Sequence, residues 1–154
     1  MKYLALLLAL ASPLAGAIEI GQPLPSWSLE DQFEQRASTD PQLKVLLVAR
    51  NMDAAKLLET AMAGQPQGWL EQRGALFVAD ISRMPGLVAS LFALPAMRDY
   101  PYRVVLDREP SLVPLLGVPE QGLLWLDLDR LSVTGRRTFT DAAALRQALE
   151  QVAP

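Results

Sequence analysis

The 154-residue chain contains neither cysteine nor histidine. Without cysteine it has no disulfide, no thiolate nucleophile, no iron–sulfur cluster and no thiolate ligand for zinc. Without histidine it has no imidazole base, no Ser-His-Asp arrangement and no imidazole-bound metal. Thiol–disulfide exchange and cysteine-dependent peroxidase chemistry are therefore excluded. Any catalysis would have to use carboxylates, lysine, tyrosine or backbone groups.

The chain also lacks the patterns that bind phosphate groups. It contains neither G-x-G-x-x-G nor G-x-x-x-x-G-K-[ST], the loops that cradle the phosphates of dinucleotides and nucleotides. It has no stripe of lysine and arginine, and its 14 basic and 17 acidic residues give a formal net charge of −3. We therefore expect no nicotinamide, flavin or other cofactor, and no nucleic-acid partner.

The first 17 residues, MKYLALLLALASPLAGA, have the three parts of a secretory signal peptide. Lys2 supplies the positive charge, residues 4–11 are apolar, and the small residues Ala15 and Ala17 mark a cleavage site. The alternative is a transmembrane anchor, but the uncharged run over residues 3–18 is shorter than the roughly 20 residues of a membrane span. We expect cleavage after Ala17, a periplasmic or secreted protein, and no membrane span in the processed chain.

Strand and helix patterns alternate along the first half of the predicted domain, which covers residues 18–154. Residues 26–38 predict a β-hairpin, and the apolar runs 44–49 and 75–79 are typical of strands covered on both faces. Between these runs, the spacing of apolar residues over 52–62 predicts a helix. No repeat or linker divides the chain, so we expect a single domain.

The second half of the domain continues the alternation of strands and helices and then ends in a β-hairpin and a helix. Residues 86–93 predict a second helix, which Pro95 ends or kinks. Its larger apolar residues share one face, namely Leu87, Val88, Leu91 and Phe92. The remaining predicted elements are a strand over 102–106, a helical turn over 111–116, an antiparallel hairpin over 123–127 and 131–139, and a helix over 140–151. This order predicts an α/β fold whose central mixed sheet has parallel βαβ units, a C-terminal β-hairpin plus helix, and helices on both faces.

Three segments, taken in order, carry a resemblance to a known family. They are GQPLPSWSLEDQ at 21–32, DREPSLVPLLGV at 107–118, and the closing hairpin and helix at 123–149. Together they resemble the thioredoxin-like superfamily, and within it the peroxiredoxin branch and the small exported proteins of the YtfJ type. The resemblance implies a thioredoxin-like fold over residues 18–154.

The resemblance also implies where the family's active site would lie. The thiol pair begins at the helix after the first central strand, and the matching positions are Met52, Asp53, Ala54 and Ala55. The cis-proline loop that faces the pair matches Gln121 and Gly122, while Pro119 lies a few residues too early. The chain therefore resembles a member without active-site cysteines, which keeps the fold and loses the family's thiol chemistry.

Polar residues near predicted strand ends are the remaining candidates. Ligands collect at the carboxyl ends of parallel strands, which makes Asn51, Lys56 and Asp80 candidate ligand-facing residues. The alternative is that they serve as a helix cap, a solvated lysine and a turn-forming aspartate. Asp80, Asp107 and Asp127 each end a predicted strand and would suit a hard cation. Their spacing matches no calcium loop, and we predict no metal site.

Three functions stay open at this point. The first is an exported thioredoxin-like protein without thiol redox activity, which acts as a periplasmic binding or accessory module for an exported protein partner. The second is a hydrolase or isomerase that uses Asp53, Asp80 or Lys56 as acid and base. The third is a structural partner in an envelope complex.

Overall fold

A computed structural model describes residues 16–154. The predicted signal peptide, residues 1–17, lies outside the described residues except for Gly16 and Ala17. The strands are β1 (Ser28–Asp31), β2 (Arg36–Ser38), β3 (Val45–Ala49), β4 (Ala75–Asp80), β5 (Val104–Asp107), β6 (Leu123–Asp129) and β7 (Ser132–Phe139). The helices are α1 (Met52–Ala61), α2 (Trp69–Gln72), α3 (Gly86–Val88), α4 (Leu94–Arg98), α5 (Val113–Leu116) and α6 (Ala142–Gln151). A π-helical turn, Ala89–Ala93, joins α3 to α4, and we call the continuous segment the 86–98 helix.

The strands of the described chain form one mixed sheet in the order β2-β1-β5-β4-β3-β6-β7. β3, β4 and β5 are parallel, whereas β1, β6 and β7 run antiparallel to their neighbours. α1 and α2 connect β3 to β4, and the 86–98 helix connects β4 to β5. The predicted fold class is confirmed, including the parallel βαβ units and the C-terminal hairpin plus helix. Within residues 16–154, no helix has the length and apolar character needed to cross a membrane.

The core lies in two layers, one on each face of the sheet. All five residues of β3 are buried because successive side chains point into opposite layers. One layer holds Leu47 with Leu58 of α1, Leu145 of α6 and Met97 of the 86–98 helix. The other holds Leu46 with residues of α5 and of the chain before β1, including Leu116 and Ile18. Coverage of both faces explains why the central strands read as unbroken apolar runs.

The 86–98 helix is longer than predicted. Pro95 neither ends nor breaks it, and the helix continues to Arg98. The reason is the π-helical turn that directly precedes the proline. In this turn the N–H of Leu94 donates to the carbonyl of Ala89, and the wider turn accommodates Pro95, which has no N–H. The helix packs inward through Ala89, Ala93, Leu94 and Met97, and its other large apolar side chains, Leu87, Val88, Leu91 and Phe92, are exposed.

A buried side chain ties the β1–β2 hairpin to the start of β5. Gln32 is 1% exposed; its Nε2 donates to the carbonyl of Tyr102 at 2.9 Å, and its Oε1 accepts from the N–H of Val104 at 2.8 Å. These bonds take the place of strand pairing at Tyr102. β5 therefore begins at Val104 and not at the predicted residue 102.

Candidate functional site

The junction of β3 and α1 is held by Asn51. Its Oδ1 accepts from the N–H of Ala54 at 2.9 Å and so caps α1, as the cap reading of the sequence predicts. Its Nδ2 donates to the carbonyl of Glu120 at 2.6 Å, which joins the helix start to the loop before β6. Asn51 therefore positions the junction, and its side-chain oxygen and nitrogen both have partners within the chain.

Met52 and Ala55, which the resemblance to thioredoxin-like proteins matches to their thiol positions, line a cavity of about 300 Å³. Met52 is 60% exposed and Ala55 is half-buried, whereas Ala54 between them is buried in the core. The far wall comes from the end of β4 and from the 86–98 helix. The cavity is mainly apolar and is completed by Ala79, Ile81, Met84 and Met97, with Arg50, Asn51, Asp80 and Arg83 at its polar side.

Gln121, Gly122 and Asp53 lie on the opposite side of Asn51. They line a separate cavity of about 320 Å³ together with Asn51, Leu57, Glu120 and Thr140. Gly122 has φ +89°, and a Cβ added there would stand 2.6 Å from the carbonyl oxygen of Phe139. Only glycine fits this turn, because an L side chain would meet both the backbone strain and the contact. All peptide bonds in the described residues are trans.

A third cavity, of about 530 Å³, lies beside the first at the carboxyl ends of β3 and β4. Arg50, Asp80 and Arg83 line both cavities, and Val113, Pro114 and Val118 form an apolar wall of the larger one. We call the two together the junction cleft. Its position agrees with the tendency of α/β sheets to bind ligands beyond the carboxyl ends of parallel strands.

The charges of the junction cleft are only partly compensated. Nη1 of Arg50 lies 3.6 Å from Oε1 of Glu120, whose side chain is 78% exposed. Arg83 is exposed and forms no ion pair within residues 16–154. Asp80 is half-buried, and its Oδ1 accepts from the N–H of Ser82 at 2.9 Å and from its hydroxyl at 2.6 Å. The cleft therefore offers two guanidinium groups and one carboxylate beside apolar walls.

The proposed acid–base residues do not come together. Asp80 lines the junction cleft, Asp53 lines the cavity on the other side of Asn51, and Lys56 is exposed and lines neither. A general acid and base must both reach one substrate. The hydrolase or isomerase hypothesis therefore has no shared site among these three residues.

The three strand-end aspartates are also separated. Asp107 is fully buried and accepts from the hydroxyl of Ser111 at 2.7 Å and from the N–H groups of Leu112 and Val113, which makes it a turn former at the start of α5. Asp127 lies opposite Val45 at the start of β3, and thus at the other end of the sheet from Asp80. A cation site made of all three is incompatible with this arrangement.

Arg50 and Arg83 line the cleft but are not among the residues predicted from the sequence. Arg50 follows β3 directly, and Arg83 comes three residues after β4. Two arginines placed just after successive parallel strands are the signal that would have identified them, since those strand ends share one edge of the sheet.

Comparison with known proteins gives the fold its name. No protein-family model and no curated protein matches the chain. A crystal structure of a peroxiredoxin-like protein from Aquifex aeolicus is 10% identical, with a TM-score of 0.56 and 90% of each chain covered. The thioredoxin domain of a thiol-disulfide oxidoreductase from Bacteroides vulgatus is 16% identical, with a TM-score of 0.56, and the match covers 89% of this chain and 100% of that one. A peroxidoxin from Mycobacterium tuberculosis is 14% identical, with a TM-score of 0.57, covering 89% of this chain and 99% of the other. The chain therefore has a thioredoxin-like fold, of the kind found in peroxiredoxin-type and thiol–disulfide oxidoreductase proteins, and carries it without cysteine.

Proposed function

We propose that this chain is an exported binding or accessory module that holds a segment of an exported polypeptide in the junction cleft. It performs no thiol redox reaction, because it has no cysteine. The observation that carries the proposal is the cavity of about 300 Å³ lined by Met52 and Ala55. The resemblance matches these two residues to the thiols of thioredoxin-like proteins, and here they provide an apolar surface without a thiol.

The chemistry of the cleft favours a particular kind of segment. The half of the cleft beside Ala55, Ile81 and Met97 is apolar and suits an aliphatic side chain, and methionines adapt to varied shapes. Arg50 and Arg83 stand between the two halves beside one carboxylate, that of Asp80. The shared lining therefore has one net positive charge and favours a ligand carboxylate, which arginine binds through paired hydrogen bonds. A segment with an apolar residue next to an aspartate or glutamate satisfies both.

The experiment is affinity capture of the tagged protein from its own periplasm, read by mass spectrometry. Ala55→Phe fills the apolar half of the cleft, and Ala143→Phe makes the same change at an exposed alanine of α6. We expect the wild-type protein and the Ala143→Phe variant to recover the same proteins, and Ala55→Phe to recover them about tenfold less, which corresponds to about 1.4 kcal/mol of binding.

Four outcomes count against the proposal. Equal recovery by the Ala55→Phe variant would show that the partner does not bind in the cleft. Recovery of nothing specific by the wild-type protein would contradict a binding function. A single partner held equally by all three proteins indicates a structural role in an envelope complex instead. Reduction of insulin disulfides or consumption of peroxide by the purified protein would contradict the absence of redox chemistry.

Export is part of the same proposal. It is supported by the signal-like residues 1–17 and by the burial of the residue that follows them. Ile18, the first residue after the proposed cleavage, is buried, and its carbonyl accepts from Nη1 of Arg136 at 3.2 Å. We expect the mass of the protein purified from the periplasm to correspond to a chain that begins at Ile18. A full-length chain in the cytoplasmic fraction would contradict export.

A further inference from the structure

Methionine is the only sulfur-containing residue type in this chain, and its side chains gather in the junction cleft. Four of the five methionines lie in residues 16–154. Met52, Met84 and Met97 line the same cavity of about 300 Å³, and only Met62, directly after α1, does not. Methionine supplies three of the six apolar residues of this lining. The apolar half of the cleft is therefore built on thioethers, which oxidants convert to sulfoxides.

The four methionines differ in how well water reaches them. Met52 is 60% exposed and Met84 is half-buried, whereas Met97 is 5% and Met62 is 1% exposed. A dissolved oxidant has to contact the sulfur, so a buried methionine reacts only when the chain opens locally. Exposure therefore makes Met52 the first of the four to be oxidised.

Oxidation of Met52 is compatible with the fold. Met52 is the first residue of α1, and the start of that helix is held by the side chain of Asn51. A sulfoxide at Met97 or Met62 would place a polar group in the core, which destabilises the folded chain. At Met52 the sulfoxide can remain in contact with water. The modified chain keeps its fold, and the change is confined to the cleft.

A sulfoxide at Met52 alters both properties by which the cleft is proposed to hold its ligand. It replaces an apolar thioether with a polar group, which disfavours contact with an aliphatic side chain. Its oxygen is also a hydrogen-bond acceptor. Arg50 and Arg83 line the same cavity, and their guanidinium groups can donate to this oxygen as well as to a ligand carboxylate. The oxidised cleft is thus less apolar, and its arginines have a competing acceptor.

We propose that Met52 is a modification site for peroxide-type oxidants, and that its conversion to methionine sulfoxide weakens ligand binding in the junction cleft. With hydrogen peroxide, the sulfur lone pair attacks one oxygen, the S–O bond forms and the O–O bond breaks. The proton of the transferred hydroxyl passes to the departing hydroxide, which leaves as water. The thioether loses two electrons and the peroxide gains them. A methionine sulfoxide reductase that takes two electrons from thiols reverses the change and releases the oxygen as water.

The selectivity of the reaction is independent of any ligand. The purified protein is treated with hydrogen peroxide until about one oxygen per chain has been added, and peptide mass spectrometry locates it. We expect Met52 to carry at least about ten times as much of this oxygen as Met62 or Met97, with Met84 between them. Equal oxidation of the four residues, or faster oxidation of a buried one, would overturn the assignment of the site.

Nuclear magnetic resonance of the protein labelled with ¹³C at its methionine methyl groups shows whether the cleft changes. We expect oxidation of Met52 to shift the methyl signals of Met84 and Met97, which line the same cavity. The signal of Met62, at the other end of α1, should stay in place and serves as the internal control.

Affinity capture before and after the same treatment measures the effect on binding, which rests on the proposed function. We expect the oxidised wild-type protein to recover its partner about tenfold less, and methionine sulfoxide reductases of both stereospecificities, supplied with dithiothreitol, to restore recovery. Met52→Leu keeps an apolar side chain of similar size, and should bind normally before and after peroxide. Met52→Gln is polar and should bind poorly without any oxidant.

A double variant provides the matched control for an exposed methionine outside the cleft. Met52→Leu with Leu91→Met moves the thioether to the outer side of the 86–98 helix, where Leu91 is 58% exposed against 60% for Met52. We expect peroxide to oxidise position 91 of this variant and to leave its partner recovery unchanged. Loss of recovery in this variant, or in Met52→Leu alone, would show that peroxide acts elsewhere and would overturn the proposal.

Failure of this proposal and failure of the proposed function give different results. A wild-type protein that is oxidised at Met52 and still recovers its partner fully overturns the proposal and leaves the binding function intact. A reduced wild-type protein that recovers nothing specific contradicts the binding function. In that case the methyl signals decide, and unchanged signals of Met84 and Met97 after oxidation of Met52 overturn the proposal. Circular dichroism of each protein checks that a lost signal or partner is not a lost fold.

Discussion

Asp31 is a carboxylate that the fold buries at the end of β1, where it is 1% exposed. Its Oδ1 accepts from the N–H groups of Phe33 at 2.8 Å and Gln35 at 2.9 Å, and its Oδ2 accepts from Nε of Arg103 at 2.7 Å. Burial by itself raises the pKa of Asp31, but the hydrogen bonds from Gln35, Arg103 and Phe33 outweigh it and leave the pKa below its ordinary value. The ionised form therefore stabilises the folded chain.

We predict that Asp31→Asn lowers the free energy of unfolding near neutral pH by about 2 kcal/mol. Asparagine keeps an oxygen for the two backbone N–H groups, but it turns an NH₂ group toward Nε of Arg103, so that donor meets donor. A hydrogen bond to a charged group contributes about 1.5–3 kcal/mol. The side chain of Arg103 is 34% exposed and can turn toward water, which keeps the loss near the lower part of that range.

The decrease in the free energy of unfolding caused by Asp31→Asn should become smaller at acid pH, because the pKa of Asp31 is lowered in the folded chain. Because the folded-state pKa lies below the unfolded value of about 3.9, ionised Asp31 contributes its full stabilisation above that pH. The contribution is lost as the pH falls through the folded-state pKa, where the wild-type carboxyl becomes protonated. Urea unfolding of both proteins between about pH 7 and about pH 3 measures the difference.

Asp129→Asn is the matched control for this prediction. Asp129 also stands near an arginine, with Oδ1 3.6 Å from Nε of Arg130, but the two side chains are 68% and 86% exposed. We expect this change to cost less than about 0.5 kcal/mol. The reasoning is refuted if Asp31→Asn costs no more than the control, or if its cost is the same at both ends of the pH range.

Three further changes test other parts of the structure. Gly122→Ala should lower the free energy of unfolding by more than about 1 kcal/mol, and by more than Gly64→Ala, because both glycines have positive φ but only Gly122 would bring a Cβ against the Phe139 carbonyl; urea unfolding measures both. Asn51→Ala should cost about 1 kcal/mol or more, because it removes both the cap of α1 and the bond to the loop before β6; equal stability in urea would contradict this. Tyr102→Phe should be neutral or stabilising in thermal unfolding, because the buried hydroxyl of Tyr102 has no hydrogen-bond partner within the described chain.

The fold followed from the sequence because its strongest signals are local. The apolar runs at β3 and β4 and the helical spacing of α1 each specify an element by themselves, and short connections leave few ways to arrange them. The short helix α2 was not predicted, since four residues after a left-handed glycine, Gly68, give no periodic pattern. The end of the 86–98 helix was predicted wrongly, because a π-helical turn before Pro95 removes the conflict that a proline causes in a regular α-helix.

The helix cap at the site was predicted from the sequence and the cleft was not, and the difference has a physical reason. A helix cap depends on neighbours in the chain, so Asn51 could be recognised from its place between a strand and a helix. A cleft depends on residues brought together from separate elements, so the shared position of Arg50, Asp80 and Arg83 follows only when the order of the chain is combined with the parallel pairing of β3 and β4. The separation of Asp127 from Asp80 likewise follows from the antiparallel direction of β6, which no spacing in the sequence reports.

By itself, the sequence determined what chemistry this protein lacks. The absence of a residue type is independent of conformation, and a chain without cysteine cannot exchange disulfides in any fold. Tertiary structure alone decided which faces are covered. The pattern of Leu87, Leu91 and Phe92 predicts a helix face but not the side on which it lies. Ala89, Ala93, Leu94 and Met97 pack beneath the 86–98 helix, and this packing leaves the face with Leu87, Leu91 and Phe92 in water.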